Sequence, residues 1–128
     1  MLIKIPVSVG ELADKITILE IKKTKIKQKN KLILIDNELN QLKKIIKTKN
    51  LLTKEINTEI VKLRKINLRL WNIEDSKRKC EKNNNFDDKF VKLARNVYIL
   101  NDKRAFIKLN INKLTNSNII EIKSYGKY

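Results

Sequence analysis

Phe90, Leu93, Val97, Leu100, Arg104, Ile107, Ile111 and Leu114 recur at alternating spacings of three and four, and Arg104 is the charged residue in that apolar stripe. A guanidinium so placed can grip a carboxylate or phosphate with two parallel hydrogen bonds. Asn101 and Lys108 share its helix face at i−3 and i+4. On the preceding stripe Asn67 and Glu74 stand one heptad apart with Trp71 between them, and Glu20 holds the equivalent place on the first. If the last two helices fold back about Asn83 to Asn85, Asn67 comes level with Arg104 and Glu74 with Val97. Arg104, Lys108, Asn101, Asn67 and Glu74 are therefore a candidate polar cluster with two open roles. One is a small-anion site or enzyme centred on Arg104. The other is structural: polar residues at seam positions fix helix register at some cost in stability, and long basic stems bury methylenes while their charge reaches water.

Other reactive groups are weaker candidates. Glu74 or Glu20 becomes a general base only if burial raises its pKa. Cys80 occupies a seam position, which suits a small buried side chain better than a nucleophile. With no histidine, His triads and His/Cys zinc sites are excluded, and a single cysteine excludes an internal disulfide. The acids at Glu74-Asp75 and Asp102 lack the ligand spacing of a calcium loop. Gly10 lies in a first helical turn and could admit an anion to the helix N-terminus, although Glu11 beside it opposes that. No catalytic residue, metal or cofactor is expected. Lys22, Lys23, Lys25, Lys27, Lys29 and Lys31 form a dense basic run suited to phosphate contacts. Only 5 of the 30 basic residues are arginine, and no aromatic interleaves with the run for base stacking, so a nucleic-acid partner is possible but not favoured.

Helices must position these groups. Ser8 and Glu11 have S-x-x-E spacing, with Val7 and Leu12 as an apolar staple, so a helix should begin at Ser8. Stripes then run from Val9 to Ile26, Leu32 to Lys49, Leu52 to Cys80 and Phe90 to Leu114. One-residue phase slips put breaks near Asn30 and Asn50, and Asp87 and Asp88 suit the positive end of the last helix. The pattern predicts one all-α domain over 1–128, an antiparallel four-helix bundle or set of coiled-coil-like hairpins, with helices at about 8–28, 31–49, 52–82 and 87–115. Alternation at 2–6 and 119–124 predicts short strands that could pair at one end of the bundle. Two Gly and one Pro leave too few tight turns for a sandwich or barrel.

Lysine, isoleucine and asparagine number 25, 20 and 16 of 128 residues, all A/T-rich in codon usage, which discounts the net charge of +16 as a functional signal. The excess is spread evenly over both halves rather than gathered in a tail. No stretch has the length and apolarity to span a bilayer, and a reducing, cytoplasmic setting is expected. Ile18, Ile21, Leu34 and Ile45 lie off the main stripes and offer apolar positions for a homodimer or protein partner.

Four stretches carry a resemblance: IPVSVGELADKITILEIK at 5–22, LWNIEDSKRKCE at 70–81, FVKLARNVYILNDKRAFIKLNIN at 90–112, and Lys123-Ser124-Tyr125. They resemble a family of short bacterial proteins classed as a domain of unknown function. The resemblance implies bacterial origin, and brings no activity, cofactor or catalytic residue with it. Residues 23–66 follow the pattern only loosely. The whole pattern points to a helical association or binding module rather than an enzyme.

Overall fold

The computed structural model describes residues 1–119, 121–124 and 126. Its elements are four helices: α1 (Val9–Lys25), α2 (Lys29–Thr48), α3 (Lys54–Lys82) and α4 (Asp88–Leu114). Ser8 caps α1 by accepting from the Glu11 N–H at 3.1 Å, Thr53 caps α3 through Ile56 N–H, and Asp87 caps α4 through Lys89 N–H. Each cap satisfies a backbone donor that a helix start leaves without an internal partner.

Three helices end the same way. Asn50, Asn84 and Asn116 take positive φ of 53°, 51° and 51°, and the N–H beyond each reaches back to the carbonyl of Ile46, Cys80 or Asn112. This is the Schellman closure, normally built on glycine; asparagine tolerates the left-handed region better than other side chains do. Helix α1 ends differently, with Ile26 and Gln28 extended. The break between the first two helices is thus at 26–28, and Asn30 lies in the first turn of α2. A phase slip locates a break only to within about a turn.

The predicted strands are corrected. Among the described residues neither 2–6 nor 119 and 121–124 forms a strand; residues 120 and 125 lie outside the described set. Leu2, Ile3 and Ile5 remain 70–77% exposed. A strand pair lacking an apolar layer to cover it has little to hold it together in water.

Helix α1 is the hub. Its backbone approaches those of α2, α3 and α4, whereas α2 approaches α1 alone. Leu12, Ile16 and Leu19 of α1, Ile35, Leu39 and Ile46 of α2, Ile56, Ile60 and Leu63 of α3, and Ile107 and Ile111 of α4 form one core. Each such side chain contributes about 1.5–3 kcal/mol when fully buried. Of the apolar positions noted for a partner, Ile21 joins the buried set and Ile18 is half-buried, while Leu34 and Ile45 of α2 stay on the surface.

Candidate functional site

Asp14 projects from the middle of α1 into the junction with α3 and α4, and its side chain is 1% exposed. Arg104 of α4 donates from Nε to Asp14 Oδ1 at 2.9 Å and from Nη2 to Oδ2. Asn67 of α3 donates from Nδ2 to Asp14 Oδ1 and to Thr17 Oγ1, both at 2.8 Å. The Thr17 hydroxyl in turn donates to the Asp14 carbonyl at 2.8 Å. Three helices therefore meet on one carboxylate. The Arg104 guanidinium is held above its ordinary pKa chiefly by the hydrogen bond to Asp14, which outweighs the cost of burial.

Lys108 lies one turn along α4. Its Nζ is 2.7 Å from Glu11 Oε2, 3.2 Å from Glu121 Oε2 and 3.8 Å from Asp14 Oδ2. Burial is the largest influence on this ammonium and lowers its pKa. The Glu11 bond, the Asp14 charge and the Glu121 bond together reverse that, so the net shift is upward. Glu11 thus spends its carboxylate on Lys108.

Beyond Lys108 the start of α1 and the end of α4 interlock. Gly10 N–H donates to Asn112 Oδ1 at 2.7 Å and Val9 N–H to Ser117 Oγ at 3.2 Å. A Cβ at position 10 would lie 2.5 Å from the Lys108 carbonyl oxygen and 2.8 Å from Asn112 Oδ1, so glycine is what lets the helices approach this closely. Gly10 does not open the helix N-terminus to an anion, in keeping with the opposition expected from Glu11. Its donors are already taken from within the chain.

A cleft of about 530 Å³ opens beside the node between α1, α3 and α4. Ile18, Ile21, Leu70, Trp71 and Val97 form its apolar walls. Asn67, Asn101 and Arg104 supply its polar groups, and Glu74, Asp75 and Arg78 complete the lining. Four of the five residues proposed as a cluster thus line one cleft; Lys108 is drawn aside to Glu11 and Glu121. The Arg104 fork, for which an external anion was one of two open roles, faces Asp14. Of the possible bases, Glu20 meets Arg64 Nη2 at 3.2 Å and 3.3 Å, and Glu74 meets Lys77 at 3.4 Å. Cys80 is buried. The lysines of the 22–31 run sit around the α1–α2 break, all exposed except the half-buried Lys22. Among the described residues no helix is long and apolar enough to cross a membrane, and no group of acids and cysteine could hold a metal ion.

Asp14 escaped the sequence reading although a signal existed. Stepping back from Ile21 and Ile18 at helical spacing reaches Asp14 and then Gly10, so both lie on a second buried stripe of α1.

Fold and site together define an all-helical bundle whose interior carries a buried three-helix polar node beside an open cleft. The chain belongs to the family of unknown function DUF6165, which matches residues 3–128. No curated protein and no solved structure matches the chain.

Proposed function

We propose that the chain is a non-enzymatic binding module whose receiving surface is the cleft between α1, α3 and α4. The observation that carries this reading is the Asp14–Arg104–Asn67 node, which holds three helices together at the edge of a cleft of about 530 Å³. Ligand pockets usually measure ~300–1,000 Å³, with apolar walls and a few convergent polar groups. Sites carried on packed helices also hold their geometry better than sites on loops. The commitment of Glu20 and Glu74 to cations favours binding over proton transfer. Bacterial origin, a cytoplasmic location and an antiparallel relation of α1 to α4 belong to the same reading. Pairings 10–112, 11–108 and 14–104, which rise along α1 as they fall along α4, support the last of these.

Fragment screening by amide chemical shifts tests the proposal. Hits should move Ile18, Val97 and Asn101 together and be lost in Val97→Phe, which fills the cleft without touching Asp14. Shifts scattered over the surface, or gathered on α2, would overturn it.

A second reading rests on the exposed lysines around 25–31, with Asp36 and Glu38 of α2 already paired to Lys23 and Lys15 of α1. Sequence-independent phosphate binding there predicts affinity for DNA falling by ~10³–10⁵ between ~50 and ~200 mM salt. No binding at the lower salt rejects it.

A further inference from the structure

The polar groups of the cleft narrow the class of ligand, an inference that rests on the cleft being the binding surface. Both amide protons of Asn67 are used on Asp14 and Thr17, and its carbonyl oxygen accepts no hydrogen bond from a described residue. Asn67 is buried and lines the cleft, so it brings an acceptor there. Asn101 adds an amide with both donor and acceptor, and Arg104 keeps Nη1 after committing Nε and Nη2 to Asp14. Adjacent donors and acceptors beside an indole suit a flat ring with an amide-like edge, the combination by which proteins read an unstacked base.

Charge decides what else that ring carries. Arg104 is neutralised by Asp14, and Arg78 is balanced by Glu74 and Asp75, so the lining has no cationic surplus for a phosphate. Its two carboxylates, Glu74 and Asp75, offer a phosphate no attraction. They can instead accept hydrogen bonds from ribose hydroxyls, as acidic residues do in dinucleotide sites. From Asn67 to Glu74 and Asp75 is seven to eight residues, about 11 Å along α3 at 1.5 Å per residue, comparable to the long dimension of a nucleoside. We infer that the cleft binds an unphosphorylated nucleoside, with its base at Asn67, Asn101 and Trp71 and its ribose toward Glu74 and Asp75.

Trp71 is the only tryptophan and reports directly on the cleft. Fluorescence excited at the red edge of the indole band is titrated with the four common ribonucleosides, their 5′-monophosphates and their 2′-deoxy forms. At least one ribonucleoside should quench saturably. Its monophosphate should bind no tighter, and its deoxy form should bind more weakly. Asn101→Leu should weaken binding about tenfold or more with melting unchanged, the size of one lost hydrogen bond. Val97→Phe should abolish it. A monophosphate at least tenfold tighter than its nucleoside overturns the inference in favour of an anion site. So does unchanged binding in Asn101→Leu. Silence of all four nucleosides up to ~10 mM, far weaker than a ~1 mM complex, also overturns it. In that case fragment shifts at Ile18, Val97 and Asn101 would leave the cleft standing as the surface, and their absence would remove both.

Discussion

Taking a carboxylate out of water costs several kcal/mol unless charge and hydrogen bonds replace the solvent. Asp14, with its side chain 1% exposed, receives Arg104 and Asn67 directly and has Lys108 nearby. Arg104→Leu therefore leaves a buried charge short of its main partner and should cost about 3–5 kcal/mol in denaturant unfolding. The double variant Asp14→Leu/Arg104→Leu should be more stable than Arg104→Leu alone, because no unpaired carboxylate remains. Lys108 makes a pH-dependent contribution. Its pKa is raised on folding, so its stabilisation is complete below the ordinary lysine value of ~10.4 and is lost as pH climbs through the higher folded value. Unfolding followed from about pH 9 to about pH 12 should show wild type losing stability relative to Lys108→Met. Arg104 was legible in the sequence because it interrupts a stripe. Asp14 was not, because a charged residue beside a stripe looks like solvent-facing helix until a second helix is known to cover it.

The four helices were legible for a related reason: burial on one face forces a 3.6-residue period, and the Ser8 cap follows from unpaired N–H groups. The strands failed because alternation at 2–6 records which residues could face a core, while no core is within reach there. How closely two helices approach is also hidden from periodicity, and Gly10 shows why. In an exposed helix interior, Gly→Ala stabilises by about 1 kcal/mol through propensity. At position 10 the added methyl would meet the Lys108 carbonyl, a backbone atom that cannot rotate away. Gly10→Ala should therefore destabilise, by about 1–3 kcal/mol as an overpacked contact, and the sign in a thermal melt separates the two cases.

Over the whole molecule the charge of +16 explains less than the connectivity does. The backbone of helix α2 approaches that of α1 alone, whereas the node and cleft belong to α1, α3 and α4. The evenness of the charge along the chain hid this division, which only the packing reveals. The meeting of α1's first turn with α4's last has a consequence for how the chain could be written. Val9 and Ser117 bond directly across 108 positions, so a short linker can join the two ends of the helical core. New termini can then be cut at Leu52, an exposed residue between α2 and α3. The rearranged chain keeps every contact around Asp14, and its circular dichroism melt should remain a single cooperative transition. The order in which the helices are synthesised is then incidental to the fold, and what specifies it is which faces find one another.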